Sequence, residues 1–215
     1  MILWGDSLAV ESQEAYTRVI TEQDGAEVVT RAWSGTALCD WLDDMDEQTE
    51  RERDRPAIAV LSFSGNFGTP CMSGRDRLTA YHEDVTKAVD LLTSRDIDVL
   101  LVDAPARIGE PVDAEGMTDL HRVWRAAAEG NPRVTVVPAG RTVTRDGQFT
   151  LTMPCQEGEA CETGGVVTVR NPDGVHFCPV TNQPVIGCPV PSPGAERFGT
   201  AIGQAVRDRI AARQR

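Results

Sequence analysis

Apolar residues fall along this chain in two rhythms. Short continuous runs at 1–5, 26–32, 57–63, 97–102 and 134–137 read as buried strands, and Ala57-Ile58-Ala59-Val60-Leu61-Ser62-Phe63 is the clearest of them. Unbroken apolar character, rather than alternation, fits parallel strands covered on both faces. Between these runs the period lengthens to that of a helix, at 12–24, 37–50, 73–94, 113–129 and 193–212. The second of these carries Leu38, Trp41, Leu42 and Met45 on one stripe, and the third Leu78, Tyr81, Val85, Ala88, Val89 and Leu92. Asp24-Gly25 reads as a helix stop. Strand and helix in strict alternation predict an α/β fold: a three-layer α/β/α sandwich on a five-stranded parallel sheet with right-handed crossovers.

From about 138 to 193 the rhythm breaks. Glycine and proline become dense, short strand-like pieces appear at 141–144, 148–152 and 166–169, and Asp146-Gly147 reads as a hairpin turn. This stretch is expected to be an excursion from a single domain spanning 1–215, not a separate unit.

Composition narrows the function. A formal net charge of -12 repels phosphate backbones, so nucleic acid is not an expected partner. No apolar run reaches the roughly 18 residues of a membrane span. The six cysteines, Cys39, Cys71, Cys155, Cys161, Cys178 and Cys188, all sit in predicted loops or at element edges. Three disulfides and an oxidising compartment are expected, hence a secreted or cell-surface location with its leader not present in this sequence. The zinc alternative would draw on His176-Phe177-Cys178, but tight C-x-x-C pairs are missing, and neither a metal nor another cofactor is expected.

The candidate chemistry lies where strands end. Gly5-Asp6-Ser7 follows the first strand, Gly35 the second, Gly65-Asn66 the third and Asp103 the fourth, so all should share the carboxyl rim of the sheet. A serine hydroxyl needs a base. Of the three histidines, His82 and His121 fall in predicted helices and are expected on helix surfaces. His176 instead lies in a turn-rich loop before the last helix, three residues after Asp173, whose carboxylate one turn can bring under the imidazole. Backbone N–H groups of Ser7 and Gly35 and the side-chain amide of Asn66 are candidate donors to an oxyanion.

Gly5-Asp6-Ser7, Gly35, Gly65-Asn66 and Asp173-x-x-His176 together resemble, in order and spacing, the four blocks of the SGNH (GDSL) hydrolases. The resemblance spans essentially the whole chain. It implies a flavodoxin-like fold and ester hydrolysis or acyl transfer, with Ser7 as nucleophile, His176 as base, Asp173 orienting it, and Ser7, Gly35 and Asn66 forming the oxyanion hole. One departure stands out: the family's third block usually continues Asn-Asp, whereas Phe67 follows Asn66 here. The missing carboxylate leaves that loop without its usual brace, and a Cys39–Cys71 disulfide tying the two oxyanion-hole loops is expected to replace it. Cys155–Cys161 and Cys178–Cys188 would complete the set, the last pinning the His176 loop; six cysteines allow fifteen pairings in all.

The expected function is a serine esterase removing small or carbohydrate-linked acyl groups through an acyl-enzyme, with Trp4, Trp33 and Phe67 as candidate substrate-binding residues. Two alternatives stay open: an O-acyltransferase passing the same acyl group to a sugar, and a non-catalytic glycan-binding module. Partners are a small-molecule or glycan ester; acyl length, leaving group and oligomeric state are not encoded.

Overall fold

The computed structural model describes residues 1–24, 26–179 and 187–215. Five parallel strands, β1 (Ile2–Gly5), β2 (Val29–Ala32), β3 (Ile58–Ser62), β4 (Asp98–Val102) and β5 (Val134–Val137), form one sheet in the order β2-β1-β3-β4-β5. Helices α1 (Ser7–Glu11), α2 (Gln13–Asp24), α3 (Leu42–Glu50), α4 (Arg77–Ser94), α5 (Asp119–Ala128) and α6 (Pro193–Arg213) cover its two faces. This is the expected α/β/α sandwich.

Successive strand residues point to opposite faces, and here both faces are dry. Trp4, Ala59, Leu61, Val99 and Leu101 pack with the buried side chains of α3, α4 and α5. Leu3, Val60, Leu100 and Val102 pack with those of α1, α2 and α6. The chain runs from β1 outward to β2, then crosses back over β1 to lay down β3. The strand order therefore reverses between β1 and β3, where the loops leaving the two strands part and open a crevice.

Helix starts follow side-chain caps more closely than apolar rhythm. Asp76 accepts the Thr79 N–H at 2.9 Å, so α4 begins at Arg77 and residue 73 lies in the turn before it. The helix expected over 113–129 begins only at Asp119, because Asp113 Oδ1 gathers the N–H groups of Glu115 and Met117 into a turn and Thr118 caps His121 N. Leu38–Trp41 is a 3₁₀ turn leading into α3. Gly25, the expected stop of α2, lies outside the described residues.

In the excursion, β6 (Thr144–Arg145) and β7 (Gln148–Phe149) form the hairpin about Asp146-Gly147, and β8 (Thr152–Pro154) pairs with β9 (Val166–Thr168). Residues 141–143, expected as strand, belong to a 3₁₀ turn over Ala139–Val143. Gly140 N there donates to Asp103 O at 2.9 Å, and a Cβ on Gly140 would sit 2.7 Å from the Ala104 carbonyl carbon. Docking the chain against the loop after β4 thus takes precedence over strand pairing. The three disulfides are Cys39–Cys71, Cys155–Cys161 and Cys178–Cys188, as expected. Among the described residues, no helix is long and apolar enough to cross a membrane.

Candidate active site

Asp6 turns the chain from β1 into α1. Its backbone is extended and its Oδ1 accepts the Leu8 N–H at 3.1 Å, so Ser7 becomes the first residue of a helix directly after a strand. The Ser7 side chain thereby stands at the carboxyl edge of the sheet, 7% exposed. His176 Nε2 lies 3.0 Å from Ser7 Oγ, and His176 Nδ1 lies 2.7 Å from Asp173 Oδ2. Asp173 Oδ1 accepts the N–H groups of Val175 (2.8 Å) and His176 (3.0 Å). Burial pushes the Asp173 carboxyl up, but these two N–H groups and the adjoining imidazole outweigh it and hold the group below the usual carboxylate range.

The loop carrying this pair is fixed from several sides. Asn171 N donates to His176 O at 2.7 Å, and Asn171 Nδ2 to Cys178 O at 2.7 Å. Beneath it lies Arg170, fully buried, donating to Val175 O at 2.7 Å and Ala106 O at 3.1 Å, its guanidinium over the rings of Phe149 and Phe177. Burial lowers the Arg170 pKa to about 10. Glu11 sits one turn after Ser7 on the same face of α1, and its Oε2 accepts Phe177 N at 2.7 Å. Burial pushes the Glu11 carboxyl up, against the pull of that N–H. The Cys178–Cys188 bridge and a Gly187 N to Val10 O bond of 3.0 Å add a second tie between this loop and α1.

On the opposite side stand the loops after β2 and β3. Gly35, at φ +81°, occupies the left-handed position of a turn closed by Thr36 N to Trp33 O at 3.3 Å. Trp33 N bonds Gly5 O at 3.1 Å, and Trp41 Nε1 bonds Thr36 Oγ at 3.0 Å, which sets this turn beside the end of β1. Asn66 reaches across to it: Nδ2 lies 3.1 Å from Asp6 Oδ2 and 3.2 Å from Thr36 O. Asp6 Oδ2 also takes Ser64 N at 2.6 Å and Ser64 Oγ at 2.7 Å. Burial pushes the Asp6 carboxyl up, opposed by these donors and by the charge of Arg107. With donors on both oxygens, the set is satisfied by the carboxylate.

The five residues expected at the reacting centre, Ser7, Gly35, Asn66, Asp173 and His176, thus meet at one edge. Two expectations need correction. Trp4 is 0% exposed: its indole packs under the sheet and its Nε1 donates to Asp44 Oδ2 at 2.7 Å, so it cannot touch a substrate. His121 is not a surface residue; it is 8% exposed and its Nδ1 lies 2.8 Å from Asp103 Oδ2. His82 is exposed on α4 as expected. Trp33 and Phe67 are 70% and 62% exposed, beside Gly35 and Asn66. Glu11, Ser64, Arg107 and Arg170 have no counterpart in the sequence reading. Only Glu11 left a signal, its place one helical turn after Ser7.

The two groups of possible metal ligands among the described residues, Glu11-Cys178-Cys188 and Cys39-Asp40-Cys71, are built on disulfide sulfurs, which are not thiolate ligands. A cavity of about 760 Å³ opens behind Glu11, between α2, α6 and the excursion, but neither Ser7 nor His176 lines it.

A family model described as Protein of unknown function (DUF459) matches residues 1–185. No curated protein matches the chain by sequence. Among solved structures, a GDSL-like lipase from Bacteroides thetaiotaomicron VPI-5482 superposes with TM-score 0.59 at 16% identity, covering 97% of this chain and 87% of that one. TesA superposes with TM-score 0.60 at 16% identity, over 96% and 97%. The psychrotrophic esterase EstA from Pseudoalteromonas sp., in a structure inhibited by monoethylphosphonate, gives 0.56 at 11% identity, over 98% of both chains. At these identities the likeness is one of fold.

Proposed function

We propose that this chain, which belongs to the SGNH-related family DUF459, is a serine esterase that removes small or carbohydrate-linked acyl groups. The observation that carries the reading is the unbroken path from Ser7 Oγ through His176 to Asp173, drawn from positions 169 residues apart. His176 takes the Ser7 proton as Oγ attacks the ester carbonyl. Asp173 holds Nδ1 protonated and stabilises the imidazolium. Negative charge on the carbonyl oxygen falls to the N–H groups of Ser7 and Gly35 and to the Asn66 amide, which exchanges its 3.2 Å bond to Thr36 O for the oxyanion. One such donor is worth roughly 3 kcal/mol of barrier. The alcohol leaves with the proton held on His176, and water, activated by the same base, releases the acid.

The exposed faces of Trp33 and Phe67 beside the donors suit a flat, partly polar alcohol such as a sugar ring, over which an indole can stack. Three disulfides suit an oxidising, extracellular setting.

The test is hydrolysis of p-nitrophenyl acetate, followed by a panel of esters varied in acyl length and sugar context. Ser7→Ala should abolish turnover while the far-UV spectrum stays unchanged, and an alkyl phosphonate should add its mass to Ser7. Turnover persisting in Ser7→Ala would refute the scheme.

A further inference from the structure

A side-chain amide can serve as an oxyanion donor only if its nitrogen, not its nearly isosteric oxygen, faces the reacting carbonyl. The surroundings of Asn66 decide between the two orientations. On one side the carboxamide meets two acceptors, Asp6 Oδ2 and Thr36 O. On the other it meets a cation: Arg107 Nη2 lies 3.1 Å from Asn66 Oδ1. The same nitrogen donates to Ser64 O at 2.9 Å and Ser64 Oγ at 3.2 Å, on the residue whose N–H and hydroxyl are held by Asp6. A flipped amide would turn its oxygen toward a carboxylate and a carbonyl and its NH₂ toward a guanidinium. Asp6 and Arg107, of opposite charge, grip the Asn66 carboxamide from its two ends.

Two more observations separate Arg107 from an ordinary surface arginine. Its Nε is buried with no acceptor among the described residues, a cost the fold tolerates at this position. Its main chain is anchored as well, Arg107 N donating to Glu110 Oε2 at 2.9 Å. The next residue, Ile108, bonds Gly174 O through its N–H at 2.9 Å, so the segment that aims the guanidinium at Asn66 also touches the loop of Asp173 and His176.

We propose that Arg107 is a positioning residue of the oxyanion hole. It fixes the Asn66 amide with Nδ2 toward Asp6 and the Gly35 turn, and supplies from the loop after β4 the bracing that a carboxylate at position 67 would otherwise give. This rests on the esterase reading above. The bulk of the effect belongs in kcat, because Arg107 acts on the transition-state charge through Asn66 and not on the bound ester.

The experiment is a double-mutant cycle of Arg107→Met with Asn66→Ala, with Arg107→Lys as the conservative variant and p-nitrophenyl acetate as substrate. Arg107→Met should lower kcat about 10- to 100-fold, less than the ~100- to 1000-fold of losing a donor outright, with KM within about 3-fold. Arg107→Lys should recover part of the loss. In the Asn66→Ala background Arg107→Met should cost nothing further. An equal loss in both backgrounds, or a loss confined to KM, would overturn the proposal. A readout free of turnover, by NMR, keeps it apart from the esterase reading. The two Asn66 side-chain amide protons, separate in both proteins because the amide C–N bond turns slowly, should lie away from free-amide shifts and exchange slowly with solvent in the parent. In Arg107→Met they should move toward free-amide shifts and exchange faster with solvent. Unchanged signals would count against Arg107 whether or not the chain hydrolyses esters.

Discussion

The Cys39–Cys71 bridge joins the 3₁₀ turn after Gly35 to the one after Asn66, over a sequence separation of 32. Replacing both cysteines by alanine leaves the native loops in reach of one another but frees the unfolded chain. In the chain-entropy model, closing a loop of about 33 residues is worth ~3.7 kcal/mol at 25 °C, against ~2.8 for Cys178–Cys188 and ~2.4 for Cys155–Cys161 with their shorter loops. For a chain of this size ~3.7 kcal/mol corresponds to a melting temperature lower by roughly 7–15 °C. Both cysteines are partly buried and packed against the core, so lost packing adds to the effect. Calorimetry of the three double-alanine variants should rank them in that order. The Cys39/Cys71 variant should also lose kcat more than KM, since the two loops it unties hold the proposed oxyanion donors. A melting temperature within about 3 °C of the parent, or a larger drop for Cys155/Cys161, would refute the argument.

Two further substitutions probe the site and the frame. Gly5→Ala places a Cβ 2.5 Å from Ala9 Cβ and 2.8 Å from Ser62 O, at the point where β1 hands over to α1. It should cost ~1–3 kcal/mol by overpacking and, by displacing Ser7, cut ester turnover at least about 10-fold; denaturant melts and kcat measure the two parts. Asp98, buried at the start of β4, takes Arg209 Nε at 2.7 Å, Arg213 Nη1 at 2.9 Å and Arg133 Nη1 at 3.3 Å. Burial pushes its carboxyl up, but Arg209 and Arg213 outweigh it and hold it below the usual range. A carboxyl lowered in the folded state stabilises above its unfolded pKa of about 3.9, and that stability is lost as pH falls through the lower folded value. Asp98→Asn should therefore destabilise at pH 7 by roughly 1–3 kcal/mol and flatten the fall in stability between about pH 5 and 2, read by urea melts across that range.

The sheet was legible because parallel strands covered on both faces must be apolar along most of their length, as Ile2–Trp4 of β1, Ile58–Leu61 of β3 and Val99–Val102 of β4 are. What apolar rhythm could not supply was the helix starts. These are set by Asp76, Asp113 and Thr118, short polar side chains that collect backbone N–H groups where the rhythm alone would continue the helix. Trp4 shows the limit from the other side. It alternates with Leu3 across β1, and with both faces buried its strand position sends it under the sheet, whatever its nearness in sequence to Ser7. His121 looked like a surface residue because its partner, Asp103, lies at the end of β4, out of reach of any local pattern.

The residues expected at the reacting centre were visible because each sits in a compact block whose spacing is local. Those that hold them in place were not: Arg107 reaches Ser64 and Asn66 from a distant part of the chain, and Arg170 acts on the backbone carbonyls of Val175 and Ala106, which leave no residue type to recognise. Asp6 lies within one of those blocks, yet its work is that of a holding residue. One carboxylate caps α1 at Leu8, takes the N–H and hydroxyl of Ser64, and receives the Asn66 amide. The strand-to-helix turn that presents Ser7 and the loop that aims Asn66 are therefore built on the same two oxygens. Asparagine at position 6 would keep the shape but turn an NH₂ toward donors, leaving them unpaired in a buried site. Phe67 can replace a carboxylate without loosening the loop because Asp6 from below and Arg107 from the side already fix it.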